Sequence, residues 1–192
     1  MRKIEPLLVA IIDQKLSQNG AALDAIGNRD ARAIFAYAAE ALVGIREATG
    51  RNDGPMVRLM QETVGTANGE SWCLSYVMSC LAYAELKSGR RSRLPATEHC
   101  LTLWTTAPLE MRVQYSPLKG AIPIWQHGAT TNGHTGVFIE AKGQEFITVE
   151  GNTSAGLRID GSLEREGQGS YRCRRHFSGN GEMKLRGFLK PF

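Results

Sequence analysis

Several features that would assign the chain to a particular class are missing from its sequence. No stretch approaches the ~20 consecutive apolar residues of a membrane-spanning helix, so we expect no membrane span. No long basic tract or series of stacking aromatic residues is present, which argues against nucleic acid as a partner. Internal repeats and low-complexity segments are also missing, which argues against a solenoid.

The cysteines form no paired CxxC motif, so a zinc ribbon is not predicted. A chain of 192 residues can bury a core without disulfides, and we interpret the cysteines as one reactive thiol and three structural ones. His99 and Cys100, together with Cys173 and His176, could supply a Cys₂His₂ site, but adjacent residues are poorly disposed to share one metal ion. We therefore predict no metal and no cofactor.

The composition is that of a globular protein, with 42% hydrophobic and 22% charged residues. A net charge of +4 favours anionic partners without selecting one. The N-terminal segment MRKIEPLLVAII begins like a secretion signal, but Glu5, Pro6 and Asp13 interrupt or closely follow its apolar stretch. We expect an amphipathic first helix, no signal peptide, and a monomer.

Hydrophobic periodicity predicts helices first and strands second. The expected helices cover 4–26 with a break near Asn19-Gly20, 28–48 with an end at Gly50, 56–64, and 72–86 with an end before Gly89. The expected strands are AIPIWQ, HTGVFIEA, EFITVEG and GFLKPF, with a further strand around YRCRR in an otherwise irregular stretch at 161–182. This order predicts an α+β fold with an antiparallel β-sheet.

Cys73 is the candidate nucleophile. The loop GTANGES precedes it, so Cys73 should lie in the first turn of a helix. There, unpaired N–H groups and the helix dipole stabilise a thiolate, which is the nucleophilic form. Cys80 lies seven residues later among apolar residues and fits a buried structural role.

His134 is the candidate base. If HTGVFIEA and EFITVEG form a hairpin with a three-residue loop near Lys142-Gly143, His134 lies opposite Glu150 or Asn152. A two-residue loop would separate His134 from Glu150 and mix the two faces of the hairpin. The expected site face carries His134, Gly136, Phe138, Phe146, Thr148 and Glu150, and the expected core face carries Val137, Ile139, Ile147 and Val149.

These residues resemble the CHAP family, the cysteine, histidine-dependent amidohydrolases and peptidases with a papain-like fold. The resemblance rests on the segments GRNDGP, SWCLSYV, GHTGVFIE, VEGNTS and GFLKPF, in the family's order. It covers residues 44–192 as a catalytic domain and leaves 1–43 as an N-terminal helical extension. One departure is GAIPIW, where Ala121 and Pro123 stand in place of the family's G-D-[IV] pattern.

By this resemblance, Cys73 matches the nucleophile, His134 the base, and Glu150 the orienting group, with Asn152 as the second candidate. Trp72, Gln61 and Trp125 are expected near the substrate, with two alternatives: Trp72 packs and sets the position of Cys73, and Trp125 belongs to the core or the cleft wall. Gln61 could donate its amide to an oxyanion, beside the Cys73 N–H, or simply lie on a helix surface. The cluster Arg172, Arg174 and Arg175 fits a solvated strand face or a contact with stem-peptide carboxylates.

The resemblance implies a peptidoglycan hydrolase that cuts stem or cross-bridge peptides, either as an endopeptidase or as an N-acetylmuramoyl-L-alanine amidase. Without a signal peptide, we expect a bacteriolytic phage endolysin made in the host cytoplasm and released at lysis, or an enzyme delivered to the bacterial cell wall by a virion or as an antibacterial effector. The alternatives are a papain-like amidase acting outside the wall and a catalytically silent binding protein of the same fold.

Overall fold

The first half of the chain is helical. A computed structural model of the protein describes residues 2–154, 167–179 and 181–192. The expected break near Asn19 is confirmed, and the Asn19 side chain caps the second helix by accepting the N–H of Ala22. Within the described residues the helices are α1 (Pro6–Leu16), α2 (Gly20–Gly27), α3 (Ala31–Ala41), α4 (Pro55–Val64), α5 (Cys73–Ser88) and α6 (Cys100–Thr106), followed by a 3-10 turn (Leu109–Met111).

The second half supplies two antiparallel sheets, which confirms the predicted α+β class. Their strands are β1 (Arg112–Val113), β2 (Ile122–His127), β3 (Gly133–Thr135), β4 (Val137–Lys142), β5 (Glu145–Thr153), β6 (Gly169–His176) and β7 (Met183–Leu189). One sheet has the order β1-β7-β2-β3 and the other the order β4-β5-β6. β6 contains the strand expected around YRCRR, whereas residues 161–166 of that stretch lie outside the described residues.

Helix α5 is the centre of the hydrophobic core. It is apolar around its whole circumference and buried along nearly its whole length, as expected for a helix covered on every side. Helices α1, α3 and α4 and one face of β4 and β5 pack into the same core. The first residue of α5, Cys73, is thereby brought to the sheets. No described helix is both long and apolar enough to cross a membrane.

Helix α3 is shorter than its sequence pattern predicts. The apolar spacing predicted a helix to Gly50, and this was wrong, because α3 ends at Ala41. Beyond it, Gly44 takes a positive φ of 90° and donates its N–H to the Ser170 carbonyl at 2.9 Å. Ser170 in turn donates its N–H to the Ile45 carbonyl at 2.9 Å. The segment after α3 is thus held by hydrogen bonds to β6, a partner more than 100 residues away.

The β4–β5 hairpin reaches the predicted faces by a different route. Lys142 pairs with Glu145, so the loop has two residues, and the predicted three-residue loop is wrong. A register shift between Phe138 and Glu140 inserts a bulge that restores the parity which the shorter loop would have lost. Phe138 and Phe146 therefore pack together in a small aromatic cluster on one face of the hairpin. The opposite face packs into the main core around α5 with Val137, Ile139, Ile147 and Val149.

The strand expected over HTGVFIEA is also divided. Residues 133–135 form β3, which pairs with β2 in the first sheet, and the chain crosses at Gly136 into β4 of the second sheet. His134 is therefore opposite Trp125 in its own sheet and approaches β5 from the neighbouring sheet.

We predict that Ser170→Ala lowers the free energy of unfolding by about 1–3 kcal/mol. The buried Ser170 hydroxyl donates to the Leu42 carbonyl at 2.6 Å and accepts the Ile45 N–H at 3.0 Å, so its removal leaves buried backbone groups without these partners. Urea denaturation measures the change. The control is Ser17→Ala, whose exposed hydroxyl donates to Gln14 and whose loss should stay within about 0.5 kcal/mol. Equal effects of the two variants would contradict the prediction.

Candidate active site

The start of α5 is held in place from two sides. The fully buried Trp72 donates its indole N–H to Glu47 Oε1 at 2.8 Å, and Glu47 Oε2 accepts the Asn52 N–H at 2.9 Å. In the amide orientation that satisfies its neighbours, Asn152 accepts the Trp72 backbone N–H at 3.2 Å and donates to Asn52 Oδ1 at 3.2 Å. The residue before Cys73 is thus fixed to β5, which sets where the thiol lies.

Cys73, His134 and Glu150 lie together in one buried cluster. His134 Nε2 lies 2.8 Å from Glu150 Oε2. Cys73 and His134 interact electrostatically, and because Glu150 occupies Nε2, Nδ1 is the ring nitrogen left for the thiol. All three side chains are buried or nearly so. A carboxylate on one ring nitrogen and a thiol on the other is the arrangement of a nucleophile, its base and an orienting group.

Glycine at position 136 makes the contact between the sheets possible. A Cβ atom there would lie 2.5 Å from Glu150 Cγ and 2.8 Å from the Val149 carbonyl oxygen. Any other residue would push Glu150 away from the imidazole. The crossing from β3 to β4 therefore requires glycine at position 136, because a side chain there would displace Glu150.

Glu150 is a fully buried carboxylate that neighbouring donors satisfy. Arg175 Nε donates to Glu150 Oε1 at 2.8 Å, and the Arg175 Nη2 bonds Oε2 in the same bidentate contact. The Thr148 hydroxyl donates to Oε1 at 2.5 Å. Such pairing is what permits a charged group in a low-dielectric interior. The carboxylate is thereby held in one orientation, with Oε2 facing His134.

Trp125 is the platform under this cluster. Its ring lies 5.8 Å from the His134 ring, with 28° between their planes, and the Arg175 guanidinium lies 5.5 Å from the indole centroid. Trp125 is itself fully buried. One aromatic side chain therefore restricts both the imidazole and the cation that holds Glu150.

The electrostatics favour a thiolate and an imidazolium. A hydrogen bond from the Cys100 thiol, opposed by burial and reinforced by His134, holds the pKa of Cys73 well below its usual range. Burial alone would lower the pKa of His134, but hydrogen bonds to Cys73 and Glu150 raise it to about 9. Burial opposes the charge on Glu150, and Arg175 and His134 outweigh it, so the pKa of this carboxyl is well below its usual range.

A cleft of about 1530 Å³ opens over Cys73 and His134. Its lining includes Asn52, Cys100, His127, Asn152 and Arg175. Three glutamates that line it are exposed: Glu70, Glu98 and Glu182. Cys73 is therefore accessible from solvent through a wide and polar opening.

The residues expected near substrate have other neighbours. Trp72, Gln61 and Trp125 are fully buried and do not line the cleft. The Gln61 amide nitrogen donates to the carbonyls of Asn52 and Glu70, at 3.2 and 2.8 Å, so it braces the loop before Cys73 instead of facing an oxyanion. Asn152 supports the same loop, whereas Glu150 is the group bonded to His134.

The structure brings two unforeseen side chains to the site, Cys100 and His127. Cys100 Sγ lies 3.7 Å from Cys73 Sγ. The half-buried His127 lines the cleft, and burial together with the His134 charge lowers its pKa. The sequence indicated neither as a site residue, because Cys100 and His127 both lie outside the segments that carry the resemblance.

The arginine cluster divides by strand parity. In β6, Arg175 pairs with Phe146 and shares the face of Glu150, whereas Arg174 pairs with Ile147. Arg174 contacts Glu145, and Arg172 contacts Glu40. Alternation along β6 separates Arg175 from Arg172 and Arg174, but only the pairing of β6 with β5 shows that Arg175 lies on the face of Glu150.

In the portion of the chain that the structure describes, no three His, Cys, Asp or Glu side chains are grouped so that they could hold a metal ion. Comparison with known proteins adds no relative: no protein-family model matches the chain, and no curated protein or solved structure matches it either.

We predict that Cys73 remains reactive towards iodoacetamide in mildly acidic solution. Its depressed pKa keeps the thiolate present until the pH falls through that low value, and the imidazolium partner persists until the pH rises through about 9. In His134→Ala the imidazolium is lost, so the rate near about pH 6 should fall at least about tenfold. Alkylation quenched at timed intervals, with mass analysis of the products, measures the rates. A pH profile in His134→Ala identical to that of the wild type would refute the ion pair.

We predict that Arg175→Met lowers the free energy of unfolding by about 3–5 kcal/mol at neutral pH, because it leaves the buried Glu150 charge without its main cation. The matched control is Arg174→Met on the same strand. The Arg174 side chain is 67% exposed, against 15% for Arg175, so its loss should cost less than about 1 kcal/mol. Similar losses in both variants, by urea denaturation, would contradict the proposed role of the pair.

Proposed function

We propose that the protein is a cysteine hydrolase that cuts an amide bond in bacterial peptidoglycan, with a papain-like fold of the CHAP type. The observation that carries this proposal is the cluster of Cys73 with His134, whose imidazole is hydrogen-bonded to Glu150, at the floor of an open cleft. A nucleophilic cysteine at a helix N-terminus, with its base and acid on strands packed against that helix, supports the papain-like arrangement.

In the first half of the reaction, the Cys73 thiolate attacks the carbonyl carbon of the scissile amide. The carbonyl oxygen becomes an oxyanion, and the Cys73 N–H is suited to stabilise it, because first-turn N–H groups have no acceptor inside their helix. The His134 imidazolium gives its proton to the amide nitrogen. The C–N bond breaks, the amine leaves, and the acyl group remains as a thioester on Cys73.

In the second half, neutral His134 takes a proton from water, and the resulting hydroxide attacks the thioester carbonyl. The C–S bond breaks, which releases a carboxylic acid and restores the Cys73 thiolate beside the His134 imidazolium. Glu150 holds the ring tautomer and balances the imidazolium charge in both halves. The sum is one amide and one water converted to an acid and an amine.

The size and polarity of the cleft support a polymeric peptide substrate. About 1530 Å³ exceeds the roughly 300–1000 Å³ of a small-molecule pocket. The rim carries exposed Glu70, Glu98 and Glu182 beside Lys184, so both amines and carboxylates of a stem peptide find opposite charges there. The choice of peptidoglycan itself rests on the resemblance of the motif blocks to the CHAP family, which also makes a phage lysin or a delivered effector the expected setting.

The test is digestion of purified peptidoglycan of several chemotypes, with mass analysis of the released fragments. We expect the wild type to release fragments and Cys73→Ala to release none, since the variant has no nucleophile. Cys80→Ala is the matched control on the same helix and should retain activity, because Cys80 is buried two turns away among apolar residues. A new amino terminus within the stem or cross-bridge peptide would identify an endopeptidase, and a freed lactyl carboxylate together with the amino group of the first alanine would identify an amidase.

If folded wild type releases nothing from any wall type, the peptidoglycan assignment is refuted. Cleavage of other amides, abolished by Cys73→Ala, would then indicate an amidase acting outside the wall. Binding to peptidoglycan without cleavage would indicate a silent binding protein. Activity retained in Cys73→Ala would refute the role of Cys73 in every version of the proposal.

A further inference from the structure

Cys100 is a second thiol at the site that the hydrolytic reaction does not require. It is the first residue of α6, 5% exposed, and it lines the same cleft as Cys73, which is 7% exposed. The two sulfur atoms are 3.7 Å apart. None of the four cysteines is in a disulfide. Hydrolysis by Cys73, His134 and Glu150 uses one sulfur atom as the nucleophile, so Cys100 can have a covalent role besides stabilising the Cys73 thiolate.

We propose that Cys73 and Cys100 form a reversible redox pair, in which a peroxide converts the two thiols into a disulfide and thereby switches the nucleophile off. The proposal rests on the nucleophilic role of Cys73 proposed above. It adds a mode of regulation, and it assigns Cys100 as the thiol that resolves oxidised Cys73.

The geometry is close to what the bond requires. A disulfide has an S–S distance of about 2.05 Å, so the sulfur atoms must approach by roughly 1.7 Å. Cys100 follows a segment, residues 89–99, that forms neither helix nor strand, so a shift of the α6 start would disturb little regular structure. Strand β3 packs directly against Cys100, because a Cβ atom at Gly133 would be only 2.9 Å from the Cys100 Cβ. Glycine at position 133 therefore leaves room for the Cys100 side chain beside Cys73.

The chemistry follows from the charge on Cys73. Its thiolate attacks one oxygen of the peroxide, the O–O bond breaks, and a sulfenic acid forms with release of hydroxide. The Cys100 sulfur then attacks the sulfenic sulfur, and the S–O bond breaks. The Cys100 proton ends on the departing oxygen as water. Two thiols and one hydrogen peroxide thus become one disulfide and two waters.

The order of the two steps is set by the environment of Cys100. Its hydrogen bond to the Cys73 thiolate, together with burial, raises the pKa of Cys100 well above its usual range, so Cys100 stays protonated while Cys73 is reduced. Oxidation of Cys73 to a neutral sulfenic acid removes that anion and releases Cys100 to react. The other thiols lack this arrangement: burial raises the pKa of Cys173 to about 12 and that of Cys80 still further.

The experiment treats the full-length protein with a slight excess of hydrogen peroxide, blocks remaining thiols, and maps cross-linked peptides by mass spectrometry without reduction. We expect a Cys73–Cys100 cross-link within one molecule, near-complete loss of iodoacetamide-reactive Cys73, and return of that reactivity after dithiothreitol. Because Cys80 lies close in sequence to Cys73, fragmentation of the cross-linked peptide must place the bond at Cys73.

The variant Cys100→Ser removes the resolving thiol and keeps a hydroxyl of similar size. With a second equivalent of hydrogen peroxide, we expect Cys73 in this variant to proceed through the sulfenic acid to sulfinic acid, with no recovery after dithiothreitol, whereas Cys173→Ser should still form and release the cross-link. A wild type in which Cys73 becomes sulfinic acid without a cross-link, or pairs with Cys80, would overturn the proposal.

The readout separates this proposal from the proposed function, since it measures thiol state and no substrate is present. A cross-link in a protein that cuts no peptidoglycan would leave the redox pair standing and refute the wall-hydrolase assignment. Peptidoglycan cleavage by a protein that forms no cross-link would do the reverse. If Cys100→Ser does not fold, the mapping of the wild type alone still decides the outcome.

Discussion

The buried negative charge of Glu150 is the constraint on which the site depends. A carboxylate in the interior is tolerated because Arg175 on β6 and Thr148 on β5 donate hydrogen bonds to it. Its oxygen Oε2 also forms the hydrogen bond to His134. Arg175 lies over Trp125, which in turn lies against the imidazole. The two sheets are thus joined at this point by charge and stacking together.

The position of the thiol depends on a second set of contacts, which ends at the same strand. Asn152 on β5 holds the backbone just before Cys73, while Glu150, two residues earlier, holds the base. Strand β5 therefore positions both Cys73 and His134. Because α5 is buried along its length, a shift of β5 would have to displace the close-packed core. The packing therefore keeps the site rigid.

The environment that makes Cys73 reactive also makes it susceptible to oxidation. The same imidazolium and thiol that stabilise the thiolate for the proposed acyl transfer also favour its oxidation over that of the other cysteines. A second thiol at 3.7 Å gives the oxidised sulfur an alternative to irreversible loss. Protection of the nucleophile and control of the nucleophile would then be two consequences of one contact.

The sequence by itself determined the local features: the helix that begins at Cys73, the division into helices and then strands, and the hairpin faces that place Glu150 with Phe146, because these follow from short-range periodicity. Only the tertiary structure decided where α3 ends, since Ser170 forms hydrogen bonds with the backbone of Leu42 and Gly44. It likewise decided that a two-residue loop and a bulge together set the register of β4 and β5. It also decided that Arg175 holds Glu150 and that Cys100 lies beside Cys73. Those contacts join residues 25 and 27 positions apart, and such separations leave no periodic trace in a sequence.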